Sequence, residues 1–584
     1  MMAYQPPLRE MQFVINEWLK APLDWSVIPA FREIDVALST SILKEAGRFA
    51  VDMLVPLNAS GDQQGCRLEG GQVSTPQGFA YAYRAYVDNG WPALACDPAW
   101  GGQGLPQLLD AALQEMLVSA NPAWAMYPGI VQGAYECLRT HASCEIQETY
   151  LHKLVSGEWL ATMCITEPQA GSDVGLIRTH ATWVERDCYR LDGNKLFISG
   201  GEQDLTDNIV HLLLARLPEA PAGSKGLSLF LVPKVLDGKP NGVYCEGLEH
   251  KMGIKGSATC ALRFEHAQGW LIGEPHQGLA AMFVMMNSAR LHVGLQGVGH
   301  VESAYQQALA YALERRQMRR LNRPAGCAEA ADLIAHQPAI QRVLLELRAC
   351  SEGMRTFGYW VAHLLDLASH GVGDQQRSCA HQVASLLTPV IKAFFTEQGF
   401  HQASAALQVF GGYGYVSDFG IEQTLRDSRI AMIYEGTNEI QANDLLLRKV
   451  LADKGEALTK LLDHYREEAV HCQAIEGCGR FGSALQKACE RVEAITAELL
   501  KTDDPAWPYR AALDYLRIHG WLGLAFIWAR SARLSVSRQD DVFYRDKYQT
   551  AGFFYDVLLL KVAHGLANIE ASRVPLPALS SLPI

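Results

Sequence analysis

What this chain lacks narrows its class before any motif is read. No apolar run approaches bilayer-spanning length; the longest candidate, Trp521 to Ala529, stops at Arg530, so no transmembrane segment is expected. Met1 to Lys20 contains Pro6, Pro7, Arg9, Glu10 and Glu17 and has no signal-peptide apolar core. No two of the 14 cysteines stand at Cys-x-x-Cys spacing, which removes the common zinc and dithiol motifs, and no metal site is expected. Scattered free thiols without a leader predict a cytoplasmic protein. An excess of positive charge is also missing. The net charge is −12, whereas binding along a phosphate backbone needs a basic surface, so no nucleic-acid partner is expected. One short basic cluster exists, Arg315, Arg316, Arg319, Arg320 and Arg323, and arginines also hold phosphate-bearing cofactors. No Gly-x-Gly-x-x-Gly joins a strand to a helix, which argues against a nicotinamide-binding Rossmann domain.

What is present is a long chain with a change of period in its middle. Its 584 residues exceed one core and imply three or four domains. In residues 1–158, Leu108, Leu109, Ala112, Leu113 and Met116 recur at helical steps, predicting a helix with one buried face. Asp97 to Pro106 before it is loop chemistry. Residues 159–277 carry short strand-like runs: Ile209 to Leu214, Leu227 to Val232, Ala261 to Phe264, and a pair, Tyr189–Leu191 and Lys195–Ile198, with a hairpin expected at Asp192-Gly193-Asn194. Helical period returns over residues 278–450, an expected antiparallel bundle. Residues 451–584 form a further helical part. One stripe there is Leu458, Leu461, Leu462 and Tyr465; a broader one is Phe553, Phe554, Val557, Leu558 and Leu560. These stripes suit a membrane or a second subunit less well than the domain beside them. The tail from Val574 to Ile584 is expected to be irregular. The class is α+β, with a middle antiparallel β domain between helical domains.

Four constellations carry chemistry. Glu435 lies in Ala431-Met432-Ile433-Tyr434-Glu435-Gly436-Thr437-Asn438-Glu439-Ile440, and an apolar setting raises a carboxylate's pKa toward that of a general base. Taken alone, the stretch suits a solvated loop carboxylate better. Ile165-Thr166-Glu167-Pro168-Gln169-Ala170-Gly171-Ser172 combines small residues with hydroxyls able to meet phosphate or carbonyl oxygens. Phe197-Ile198-Ser199 sets an aromatic beside a hydroxyl at a strand end, suited to the face and edge of a flat ring, or to closing a core. Gln408 to Tyr415 places three glycines in a helical region, marking a helix end or a close approach.

Together and in order, these runs, with Arg315, Asp97–Pro106 and Lys251–Ser257, closely resemble the acyl-CoA dehydrogenases over about Val87 to Val450. The resemblance implies that family's fold, with a four-helix bundle as the C-terminal domain, and an FAD-dependent α,β-dehydrogenation of an acyl-CoA to a trans-2-enoyl-CoA. It implies Glu435 as the catalytic base. It implies FAD contacts at Ile165, Thr166, Gly171, Ser172, Phe197, Ile198, Ser199, Arg315, Gln317, Gln337, Gln408, Gly411, Gly412, Thr437 and Glu439. Acyl-CoA contacts are implied at Ser172, Asn287, Arg290, Tyr434 and Gly436, with Asn287 and Arg290 holding the CoA nucleotide. Arg315, Arg316 and Gln317 match a segment that reaches a neighbouring subunit's FAD, so a homodimer is expected. An electron-transfer flavoprotein is the implied acceptor.

Some positions depart from the pattern. Phe197 replaces a usual tryptophan and Ser199 a usual threonine, each keeping the needed ring or hydroxyl. Met318-Arg319 replaces Phe-Gly, and about a dozen extra residues precede His336-Gln337. A C-terminal helical extension occurs in the very-long-chain enzymes and in the 3-methylmercaptopropionyl-CoA dehydrogenase branch; the Arg315-Arg316-Gln317 run, the insertion and the Gln441–Leu445 run look most like the latter. A medium- or long-chain fatty acyl-CoA is the expected substrate, with 3-(methylthio)propanoyl-CoA second. An acyl-CoA oxidase is the rival within the fold. A flavin-bearing nucleic-acid-binding scaffold is the rival outside the class, opposed by Glu435 and the negative charge.

Overall fold

A computed structural model describes residues 4–577 of the chain. The helices that place the site are α1 (Gln107–Ala120), α2 (Val131–His141), α3 (Gly278–Glu314), α4 (Pro338–His370), α5 (Asp374–Val409) and α6 (Asn438–Asn443). The extension adds α7 (Glu456–Gln473), α8 (Gly479–Lys501), α9 (Trp507–Ser535), α10 (Val542–Phe553) and α11 (Leu560–Ala571). Between α2 and α3 lie β1 (Leu160–Cys164), β2 (His180–Glu185), β3 (Cys188–Ser199), β4 (Ile209–Arg216), β5 (Leu227–Pro233), β6 (Val243–Leu248) and β7 (Thr259–Ile272).

These seven strands make one sheet in the order β6-β7-β3-β2-β4-β1, and β5 pairs with both β7 and β4, so the sheet curls back on itself. Most pairings are antiparallel as expected. Two contacts of β4 are parallel: a single bridge to β2 at His180–Arg216, and a full pairing with β1, for which the β2–β3 excursion supplies the crossover a parallel pair needs. Alternate residues of β4 and β5 feed two cores. Leu213, Ala215, Phe230 and Val232 face one; Leu212, Leu214, Leu229 and Leu231 join Met282 and Met285 of α3 in the other. Each such fully buried side chain contributes roughly 2 kcal/mol, which seats the sheet firmly between the helical halves.

The expected hairpin at Asp192-Gly193-Asn194 is not there. That triplet lies inside the continuous strand β3, and the turn falls at Arg186-Asp187, where Arg186 takes φ +46°. The turn-like residues serve a close approach and a bulge instead. A Cβ on Gly193 would stand 2.3 Å from the Thr179 hydroxyl oxygen. Asp192 accepts the His266 N–H at 2.7 Å beside the register shift in β7.

A second correction concerns α1, which buries every residue from Leu108 to Ala120 rather than one face. Its polar positions meet buried partners. Asp110 Oδ2 lies 3.0 Å from His292 Nε2 of α3. Glu115 accepts from Arg355 Nε at 2.8 Å and from the Tyr359 hydroxyl at 2.7 Å, both on α4.

The extension's apolar faces are occupied by the chain itself. Leu458, Leu461, Leu462 and Tyr465 are buried, as is Trp521 to Ala529. Trp528 Nε1 donates to the Ala349 carbonyl at 3.1 Å, and Trp521 sets its ring edge-on to Phe394 of α5. In the second stripe Phe554 and Leu558 are buried, but Leu560 is 65% exposed. A π-turn over Phe554–Leu558 shifts the helical phase and turns Leu560 outward. Past the last helix, residues 575–577 have no regular structure; residues 578–584 of the expected irregular tail lie outside the described residues. Among the described residues no helix is long and apolar enough to cross a membrane, and no cluster of side chains could hold a metal ion.

Candidate active site

Glu435 sits between a short 3-10 turn (Arg429–Met432) and α6. It adopts the left-handed conformation, φ +56°, followed by Gly436 at +84°. A non-glycine residue there costs on the order of 1 kcal/mol, and such residues collect at functional sites. The neighbours impose it. Gln441 Nε2 donates to the Glu435 carbonyl at 2.9 Å, and Lys392 Nζ to the Gly436 carbonyl at 2.6 Å. Among the described residues no backbone carbonyl accepts the Glu435 N–H.

The carboxylate itself is unsatisfied. Glu435 Oε2 is buried without a hydrogen-bond partner. Burial pushes its pKa up to about 7, against the pull of Arg290 and Lys392. Arg290 is 5% exposed, bonded to Asn287 Oδ1 at 3.3 Å and 3.6 Å from Asp444. Its Nε has no partner. Asn287 is exposed one helical turn earlier, so the pair expected to hold the CoA nucleotide stays bonded, with Asn287 at the surface and Arg290 buried near Asp444 and Glu435.

Tyr434 forms one wall. Its hydroxyl donates to Gln296 Oε1 and lies 3.5 Å from the Met126 sulfur, and Gln296 Nε2 is 3.4 Å from that sulfur. Ala123, Ile254 and Ile430 complete an apolar patch around it. Ile254 is left-handed at φ +44°, a true outlier for a β-branched residue, and the Asp427 carboxylate holds its amide there.

The second group gathers where β1 meets β3. The Leu196 amide donates to the Thr166 carbonyl at 2.9 Å, which brings Ile165–Thr166 against Leu196–Ser199. A buried pair locks this junction. Lys195 Nζ lies 2.8 Å from Glu167 and also donates to the Ile165 carbonyl at 3.0 Å. Burial raises the Glu167 pKa, but Lys195, Thr179 and the Arg178 amide outweigh it and hold it at about 2. Phe197, at φ +59°, presents a ring that is 59% exposed. Ser199 is half-buried beside it, while the Ile198 side chain enters the core and leaves only its backbone for a ligand. Gly171 and Ser172 lie exposed on the adjoining loop.

A third group forms around Arg315, at the C-terminal end of α3. The Arg315 guanidinium lies 5.3 Å from the Tyr413 ring centroid, next to exposed Gly411 and Gly412 and the exposed end of α5 at Gln408. Gln317 pairs its amide with the Asp332 carbonyl in the loop leading to Gln337. Thr437 caps α6, and Glu439 is exposed on its first turn. The residues fit a flavin dinucleotide. Added Cβ atoms at Gly171, Gly411 and Gly412 would meet nothing within 4 Å, Gln337 Nε2 is buried and unpartnered, and the Phe197 ring is free to cover a flat ligand.

Residue types and spacing missed Lys392, Gln296, Met126 and the Glu167–Lys195 pair. One signal for Lys392 was available: a lone charge in Val390-Ile391-Lys392-Ala393-Phe394-Phe395. The others need partners far away along the chain.

Family models describing the N-terminal, middle and C-terminal domains of acyl-CoA dehydrogenase match residues 40–158, 162–267 and 276–449, and one described as acetyl-CoA dehydrogenase C-terminal like matches 448–579. The chain belongs to the acyl-CoA dehydrogenase family, and is an FAD-dependent oxidoreductase of that family. It is 39% identical to the 3-methylmercaptopropionyl-CoA dehydrogenase of Ruegeria pomeroyi, covering 98% of both chains. It is 34% identical to a broad-specificity linear acyl-CoA dehydrogenase, FadE5, of Mycobacterium tuberculosis, covering 90% of each. In fold it is similar to an acyl-CoA dehydrogenase of Bacillus anthracis complexed with FAD (TM-score 0.76, 22% identity, 94% of this chain and 90% of that one). It is similar also to ACDH-11 of Caenorhabditis elegans in complex with C11-CoA (TM-score 0.74, 20% identity, 95% and 92%). The family expectation drawn from the ordered motifs over about Val87 to Val450 is borne out.

Proposed function

We propose that Glu435 is the base that removes the α-proton of an acyl-CoA thioester. The observation that carries this is its carboxylate: buried and unpartnered at Oε2, and pushed up to about 7, where a base is both ionised and proton-accepting near neutral pH. The uncommitted Glu435 N–H is a donor for the thioester oxygen as charge develops there. Arg290 and Lys392 keep part of the carboxylate ionised in a desolvated setting. Phe197, Ser199, Thr166 and the Gly171–Ser172 loop would hold the flavin end of FAD. Arg315, Gln317, Gln337, Gln408 and the Gly411–Gly412 turn would hold an adenine end. Bound FAD supplies the oxidising capacity, taking up two electrons as hydrogen leaves the β-carbon.

The substrate we favour is a short linear acyl-CoA of the 3-(methylthio)propanoyl type, supported by full-length likeness to the Ruegeria enzyme. Likeness to the linear acyl-CoA enzyme supports medium- or long-chain acyl-CoA as the second reading. The electron acceptor is proposed to be an electron-transfer flavoprotein. Arg315 closes the long helix α3 many turns beyond Arg290, roughly 37 Å at about 1.5 Å per residue, which supports a homodimer in which the Arg315 group serves a partner's cofactor. Anaerobic titration with a panel of acyl-CoAs, followed by flavin bleaching, tests the substrate. Fast reoxidation by oxygen would replace the dehydrogenase reading with an oxidase. A salt-dependent shift of DNA without bleaching by any acyl-CoA would sink both.

A further inference from the structure

Lys392 is a charge in a place that needs a reason. It lies in an apolar run of α5, and none of its surface reaches solvent. A buried ammonium is costly unless well bonded. Its hydrogen-bond acceptors are neutral: the Gly436 carbonyl at 2.6 Å and Asn438 Oδ1 at 3.2 Å. Asn438 is itself fixed, donating Nδ2 to the Ala393 carbonyl at 3.0 Å and accepting from the Thr396 hydroxyl at 3.3 Å. From the other side Gln441 holds the carbonyl of Glu435. Both carbonyls of the left-handed pair Glu435–Gly436 are therefore gripped by side chains, and the grip on the second comes from a cation.

We propose that Lys392 is a positioning residue for proton abstraction: it clamps the Gly436 carbonyl, which keeps Glu435 in the left-handed turn that aims its carboxylate, and it sets a positive charge beneath that carboxylate. The proposal rests on the reading of Glu435 as the base. The charges around the pair are few. Lys392 faces Glu435, Arg290 and Glu439; Glu435 faces Arg290 and Lys392; Arg290 faces Asp444, Glu435 and Arg448. Burial draws the Lys392 pKa down to about 7, against the pull of the Glu435 charge, and the Lys392 charge in turn lowers the pKa of Glu435. Removing the lysine charge leaves Glu435 with Arg290 alone. Its carboxylate then holds its proton to higher pH, and the base is ionised over a narrower range.

The test compares full-length, FAD-loaded Lys392→Met and Lys392→Arg with the wild type, after flavin absorbance and thermal unfolding establish that each is folded and loaded. For Lys392→Met, kcat should fall roughly 10- to 100-fold with KM within about threefold, as expected for a misplaced catalytic group. The acid limb of its kcat/KM profile should move to higher pH by about half a unit or more. Lys392→Arg keeps the charge and should hold the limb at its wild-type position. A loss of rate equal at every pH in both variants would make Lys392 merely structural and overturn the proposal. So would a wild-type profile in Lys392→Met, or failure of both variants to fold and load. Glu435→Gln, run alongside, separates the two ideas. If it still bleaches the flavin, the base reading fails; if it is inactive while Lys392→Met matches wild type, only the role of Lys392 fails.

Discussion

Two regions of this molecule bury charge, and they treat it in opposite ways. At the junction of the N-terminal segment, α4 and the extension, Lys547 is bonded to both Glu10 and Glu352, and Arg348 reaches Glu352 and Asp546. One layer deeper, Arg355 joins Glu115 and Glu302. There Glu352 would be raised by burial, but Lys547 and Arg348 overcome it and hold the carboxyl at about 2. At the Glu435 turn one cation grips a carbonyl, and a carboxylate oxygen is left with no partner. The first arrangement spends its charges on one another and holds the fold. The second keeps a carboxylate hungry for a proton.

The comparison breaks most sharply at Glu435. Glu435→Gln should slow flavin reduction by acyl-CoA by about 10³-fold or more, read in anaerobic rapid mixing. The same change should not harm the fold. A carboxyl whose pKa is raised from its usual value to about 7 opposes folding as pH rises between those values, and the glutamine removes that opposition. Glu435→Gln should therefore match or exceed wild-type stability at pH 8, by roughly 3 kcal/mol at most. A clear loss would mean Glu435 is structural.

At the junction the expectation reverses. Lys547→Met leaves Glu10 unpaired and Glu352 with Arg348 alone and should cost about 2–4 kcal/mol, measured by urea unfolding, with little change in the pH profile of the folded enzyme. The Glu352 contribution is complete above its unfolded pKa near the usual carboxylate value and is lost as pH falls toward about 2. Stability of wild type should drop across that window more steeply than that of Glu352→Gln. The smallest effect sharpens the comparison at the flavin edge. Phe197 is left-handed with its ring exposed, so Phe197→Gly should change the unfolding free energy of the flavin-free protein by no more than about 1 kcal/mol, in the stabilising direction, while FAD is retained more weakly.

Much of this was legible in the residues, and the parts that were not share a cause. The strand runs and helix stripes follow local periods, so β4, β5 and α7 fall where their apolar residues put them. Glu435 was legible through its motif and its apolar flanks. Lys392 was legible only as a lone charge in an apolar run, because its partners, Gly436 and Asn438, come from the turn and helix across the bundle. The same holds for α1: Asp110 and Glu115 read as a solvent face until His292 and Arg355 come to meet them. Asp192-Gly193-Asn194 misled because the freedom that makes a turn also permits a close approach within a strand, and only Thr179 and His266 decide between the two. Leu560 misled because a π-turn changes the period within a helix.

The strap formed by the first described residues has a consequence in time. Glu10 finds Lys547 537 positions later, and Arg9 finds Asp541 532 positions later. During synthesis the chain emerges from its N-terminus, so these two ion pairs cannot close until long after the segment's earlier contacts, such as that of Gln5 with Gln306, have become possible. The catalytic halves can assemble first, and the two ends then close over them like a drawstring.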